Sequence, residues 1–218
     1  SGKSTTLATM IDRINHTRNA HIITIEDPVE FVHASDRCIV NQRQVGRDAT
    51  SFNSALVAAL RQDPDVILVG EVRDLETIRT ALRAAETGHL VLTTLHAGDC
   101  AGAIERMAAV FPAEEQPSVR QQLALVLRGI FTQHLVQRAD GEGRVPVCEL
   151  MVNNAAVSNF IVTGRSQQLY SAIETGGPYG MQTLDQSLRA LLEEGLIDLN
   201  VAIALSKNPL QYQNLQQT

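Results

Sequence analysis

The chain has 218 residues, 44% hydrophobic and 19% charged, enough to bury a globular core and too few for more than about two domains. Its net charge of -6 argues against the clustered Lys and Arg on which phosphate-backbone binding is built, which excludes nucleic acid as a main partner. No apolar run approaches the roughly 18 residues needed to cross a bilayer, so direct membrane insertion is not expected. Cys38, Cys100 and Cys148 stand too far apart for a C-x-x-C zinc or redox pair and read as buried free thiols in a reducing compartment.

The chain opens with "SGKSTT", in which Gly2-Lys3-Ser4 match the last three positions of a phosphate-binding loop, G-x-x-x-x-G-K-[ST]. The leading glycine and the strand that feeds such a loop would precede Ser1, so either the match is accidental or the chain begins inside the loop. A helix is predicted to start at this loop and run to Thr17. It is followed by the buried strand "HIITI" (21–25), which is stopped by Pro28. "CIVNQ" (38–42) reads as a second strand, with Thr50 or Ser51 capping a helix that carries Ala55, Leu56, Ala59 and Leu60 on one face. "DVILVG" (65–70) is an unbroken apolar run of the kind buried on both faces of a parallel sheet. Asp74 then caps a helix striped by Leu75, Ile78, Leu82 and Ala85, Gly88 ends it, and "LVLTTL" (90–95) is the next strand.

From Gly98 the pattern changes. Pro112 separates two helical stretches, and Val119, Leu123, Val126, Leu127 and Ile130 place the second over residues 114–137. "ADGEGR" (139–144) reads as a turn before a last strand over 145–151. Beyond Val152 the periods are all helical, ending on a face of Leu184, Leu188, Leu191 and Leu192 before Gly195. The Gln- and Asn-rich tail is expected to fray. The class expected is α/β with a mainly parallel sheet, occupying 1–152, followed by a small helical domain over 153–218.

Three strands end in groups suited to phosphate chemistry. "GKST" at a helix start gathers free N–H groups and the positive end of the helix dipole. Glu71 follows "DVILVG" where a carboxylate can hold hydrated Mg²⁺ or orient water, and Gly70 stands where an Asp is common. Glu26 leaves "HIITI" in the same way as a candidate catalytic carboxylate, with Asp27 turning the chain before Pro28. His96, after Thr93 and Thr94, leaves the third strand. Arg47, Arg61, Arg73, Arg79 and Arg106 are candidates for stabilising transition-state charge across a subunit boundary, and spacing does not choose among them.

Together, "SGKSTT", "ITIEDPVEFVH", "QDPDVILVGEVRD", "TGHLVLTTLHAGD" and "GMQTLDQSL" resemble the secretion ATPase superfamily, most closely the PilT-like motors of type IV pili. The resemblance spans nearly the whole chain. It implies a RecA-like P-loop core, ATP and Mg²⁺ as ligands, and a homo-hexamer with ATP between subunits. It also implies a cytoplasmic motor, peripheral at the inner membrane, that works on a pilus or secretion platform protein. Residue by residue it implies Ser1, Gly2, Lys3, Ser4 and Thr5 around the nucleotide, with Lys3 on the phosphates. Ser4 and Glu71 would hold Mg²⁺, the latter through water, with Glu26 as general base and His96 as sensor. Family members carry a PAS-like domain before the loop, so a chain lacking it and the first loop glycines is expected to bind ATP poorly. The absence of a four-cysteine zinc element is similar to the retraction branch. Against that, the motif close to A-I-R-N-L-I-R-E reads "AVSNFIVT" (156–163) here, with Ser158, Val162 and Thr163 replacing its charged positions. A non-hydrolysing accessory subunit and an ATPase for secretion or DNA uptake are the alternatives.

Overall fold

A computed structural model describes residues 2 to 213. Its elements alternate as the sequence periods require: α1 (Lys3–Thr17), β1 (His21–Glu26), β2 (Ile39–Gln44), α2 (Phe52–Ala59), β3 (Val66–Val69), α3 (Leu75–Glu86) and β4 (Leu90–Thr93). Then come α4 (Cys100–Ala109), α5 (Gln116–Val126), β5 (Gly129–Gln137), β6 (Arg144–Val152) and α6 (Ala155–Val162), followed by α7 (Leu169–Glu174), α8 (Leu184–Glu193), α9 (Leu199–Leu205) and α10 (Leu210–Gln213). Two compact units result. One comprises Lys3–His96 and Arg106–Val126; the other comprises Gly2, Ala97–Glu105 and the described residues from Leu127 onward.

In the first unit the four strands form a parallel sheet in the order β2-β1-β3-β4. The register pairs Ile22 with Val66 and Val66 with Leu90, so all three strands end along one edge. Side chains alternate across the sheet. Ile22, Val66 and Leu68 join Ile11, Leu7 and Ile14 of α1 in one cluster, whereas Ile23, Ile25, Ile67 and Val69 are fully buried on the opposite face. Both faces are covered, which explains why β1 and β3 are apolar runs without polar alternation.

Local chemistry starts the helices where the sequence places them. Ser51 caps α2 by accepting from the Ser54 N–H, and the Ser54 hydroxyl in turn accepts from the Ser51 N–H. Asp74 caps α3, accepting from the Thr77 N–H and hydroxyl at 2.9 and 2.7 Å.

One element differs from expectation. The helix predicted over 114–137 ends at Val126, and residues from Gly129 form β5, antiparallel to β6 from Gly129↔Val152 to Gln137↔Arg144. Val119 and Leu123 are buried as the helical spacing requires, but Ile130 pairs with Met151 on the hairpin. A β-carbon on Gly129 would lie 2.7 Å from the Met151 carbonyl oxygen, so the strand's entry requires glycine. Pairing with a strand whose partners lie up to 23 residues away outweighs local helical spacing.

In the second unit, the β5–β6 hairpin carries α8 against β6. Val136, Val147, Leu184, Leu188, Ile197, Ala202 and Tyr212 make its core. Thr183 and Gln186 form a capping box at the start of α8. The helix over "AVSNFIVT" is present as α6, capped by Asn154, with Val157 and Ile161 buried and Val162 exposed.

Candidate functional site

Helix α1 begins at Lys3, so its first N–H groups are free of intrahelical acceptors and, with the helix dipole, favour an anion there. The parallel register brings the ends of β1, β3 and β4 to the same edge, where ligands of open α/β sheets bind. Between these lies a cleft of about 270 Å³ lined by Lys3, Ser4, Glu26, Glu30, Glu71 and His96, among others. Five residues singled out in the sequence, Lys3, Ser4, Glu26, Glu71 and His96, thus share one cavity although they come from four separate parts of the chain.

Their contacts are specific. Lys3 Nζ lies 3.4 Å from His96 Nδ1. His96 Nε2 lies 3.9 Å from Glu71 Oε2, and Arg73 Nε forms an ion pair with that same oxygen at 2.7 Å. Ser4 Oγ donates to Glu30 Oε1 at 2.8 Å. Glu26 Oε1 accepts from the Thr24 hydroxyl at 2.6 Å and from Gln42 Nε2 at 3.2 Å, which fixes its carboxylate at the end of β1. Thr94 Oγ1 donates to the Gly70 carbonyl at 2.6 Å, tying the exit of β4 to that of β3.

Gly70 has a steric reason. Its N–H donates to the Ile25 carbonyl at 2.7 Å, and a β-carbon there would stand 3.3 Å from that oxygen and 3.4 Å from Glu26 Cα. The close approach of β1 and β3 makes a side chain at this place tight, and a carboxylate stands one residue later at Glu71.

The other predicted site residues are placed as follows. Gly2 adopts φ +78°, a left-handed conformation that glycine accepts without strain, and groups with the second unit. Thr5 is in the first turn of α1 with its side chain exposed and outside the cleft lining. Ser1 and the Gln- and Asn-rich tail from residue 214 lie outside the described residues. Of the five arginines, Arg73 lines the cleft. Arg47 is bound to Asp48 at 3.0 Å, and Arg79 to Glu115 at 2.8 Å with its guanidinium 5.2 Å from the Phe111 ring centroid.

Spacing did not single out Glu30. It lies four residues after Glu26 in a loop beyond Pro28 that has no periodicity, and only the folded loop returns it to Ser4. The oxygen donors present, a serine hydroxyl and the Glu30 and Glu71 carboxylates, suit Mg²⁺. Among the described residues there is no cluster of three or more His, Cys, Asp or Glu able to cage a metal ion.

The family described as "Type II/IV secretion system protein" matches residues 1–198. The chain is 54% identical over 209 residues to the "Type IV pilus retractation ATPase PilT" of Pseudomonas aeruginosa, covering 96% of this chain and 60% of that protein. It is 50% identical to a "Twitching motility protein" of Neisseria gonorrhoeae, covering 95% of this chain and 56% of that one. Its structure superposes with a TM-score of 0.90 on the crystal structure of the pilus retraction motor PilT with bound ADP, at 49% identity, covering all of this chain and 61% of that one. The chain therefore spans about 60% of the length of these relatives.

Proposed function

The chain belongs to the type II/IV secretion system protein family, and from that premise we propose that it carries the ATP-hydrolysing centre of a type IV pilus motor that drives retraction. The observation that carries this reading is the convergence of Lys3, Ser4, Glu71 and His96 on one cleft at the head of α1. In this reading the whole protein works as a homo-hexamer on the cytoplasmic side of the inner membrane, against a platform protein.

The residues divide the work. The α1 N-terminus and Lys3 bind the phosphates. Ser4 and Glu71 hold Mg²⁺, Glu71 through water. Bound Mg²⁺ would neutralise charge on the transferred phosphoryl group. Arg73, ion-paired with Glu71, and Gly70, packed on β1, fix where that carboxylate points. His96, in contact with Lys3 and within 3.9 Å of Glu71, reports the presence of the terminal phosphate from one to the other.

Two carboxylates compete to orient the attacking water. We assign this role to Glu30, which is hydrogen-bonded directly to a P-loop side chain. Glu26 is the second reading, favoured by its place in the cleft lining and by the Thr24 and Gln42 bonds that hold its Oε1.

The test is Mg²⁺-dependent ATP hydrolysis by the natural full-length protein beside Glu71→Gln. A specific rate that rises with protein concentration, vanishes in the variant and stops on chelation supports a ring motor with shared sites. Background rates with ATP still bound would instead make the protein a nucleotide-sensing accessory subunit, the reading that the uncharged α6 favours.

A further inference from the structure

The start of α4 is held by an ion cluster in the second compact unit that the nucleotide chemistry does not use. The first N–H groups of a helix need acceptors from outside it. Here two carboxylates supply them: Asp99 Oδ1 accepts from the Gly102 N–H at 2.6 Å, and Glu149 Oε1 accepts from the Cys100 N–H at 2.7 Å. Glu149 projects from β6 and is 1% exposed. One cation serves both acids. Lys207, in the link between α9 and α10, places Nζ 2.9 Å from Asp99 Oδ2 and 3.2 Å from Glu149 Oε2, and lies 5.5 Å from the Tyr170 ring centroid.

Residues 99, 149 and 207 thus meet at one helix terminus. Burial by itself would lower the Lys207 pKa, but Asp99 and Glu149 outweigh it and hold it raised. Burial likewise works to raise the Asp99 pKa, and the Gly102 N–H with Lys207 brings it below the usual carboxylate value. Asp99 and Lys207 thus each favour the charged form of the other. An ion cluster built on a buried carboxylate contributes little to stability over an apolar replacement, because desolvation offsets the attraction, so its use is more readily explained by what it positions.

What it positions is the chain that leaves His96. Only Ala97 and Gly98 separate His96 from Asp99. A β-carbon on Gly98 would meet nothing within 4 Å, and its carbonyl receives a long 3.4 Å contact from His134. Gly98 is exposed, and the next side-chain anchor along the chain is the Asp99 cap.

We propose that Lys207 is a positioning residue for ATP hydrolysis: by binding Asp99 and Glu149 together it fixes the start of α4 and, through two intervening residues, the path of the chain from His96. This rests on the ATPase reading above. Lys207 touches no nucleotide in this scheme, and its effect falls on turnover rather than on binding.

The test uses the natural full-length protein with Lys207→Arg, Lys207→Met, and the double variant Lys207→Met with Glu149→Gln. The double variant leaves no buried unpaired carboxylate at position 149 and retains an acceptor for the Cys100 N–H, so it separates loss of the clamp from failure to fold. The expected result is a kcat at least about tenfold below the parent in the double variant, with KM for ATP nearly unchanged. Amide exchange at Cys100 and Gly102 should be faster, and Lys207→Arg should keep most of the parent rate. A folded double variant that turns over at the parent rate overturns the proposal, as does a loss confined to KM or to melting temperature. A parent protein that binds ATP without hydrolysing it overturns the ATPase reading itself, which distinguishes the two failures.

Discussion

Ser4 Oγ donates a 2.8 Å hydrogen bond to Glu30 Oε1, joining the first turn of α1 to the loop that leaves β1. The hydroxyl suited to Mg²⁺ is therefore addressed by a carboxylate from a different part of the chain. Exchanging that carboxylate for an amide keeps its size and removes its basicity. Glu30→Gln should lower kcat at least about a hundredfold while ATP still binds, with a smaller loss in Glu26→Gln. Steady-state hydrolysis and equilibrium nucleotide binding on both variants decide it, and the reverse order would move the base to Glu26.

Lys3 and His96 touch, yet they should fail differently. Lys3→Ala removes the charge that neutralises the phosphates and should reduce nucleotide affinity. His96→Ala leaves the phosphate cradle intact and should lower kcat by about tenfold or more. Titration with a fluorescent ATP analogue separates the two. Equal loss of affinity in both would reduce His96 to a binding residue.

Gly70 is squeezed between β1 and its own strand. Gly70→Asp would press a β-carbon to 3.3 Å from the Ile25 carbonyl oxygen and should cost about 1–3 kcal/mol. Denaturant unfolding of the two forms measures this. No loss of stability would mean that the strand ends separate freely.

Tyr170 offers a pH signature. Burial, then its bond to Asp185, raises the phenol pKa to about 12. Because the folded value lies above the ordinary value of about 10, the folded state holds the proton that the unfolded chain releases. The associated stability is complete below about pH 10 and is lost as pH rises to about 12. Tyr170→Phe should flatten melting temperature against pH over that window, and an unchanged slope would show that other groups set alkaline unfolding.

Much of the first unit was legible because its signals are local. The buried runs of β1 and β3, the Ser51 and Asp74 caps and the helical stripe of α3 each follow from a few adjacent residues, and the structure places them where their spacing requires. The helix expected over 114–137 failed at Gly129 for the opposite reason, since β5 exists through its pairing with β6. Arg73 could not be told from four other arginines until the fold set it on Glu71.

From the amino acids alone came the alternation of strand and helix, a helix start at Lys3 and Ser4 that matches the end of a phosphate-binding loop, and acidic or imidazole groups at three strand ends. These depend on side-chain period and on the chemistry of neighbours a few residues apart. Tertiary structure decided that Glu30 faces Ser4, that Gly70 packs closely on β1, and that Lys207 joins Asp99 to Glu149. Each of those relations spans from 26 to 108 residues of chain, and no local pattern encodes which distant side chains a closed sheet edge or a helix terminus will bring together.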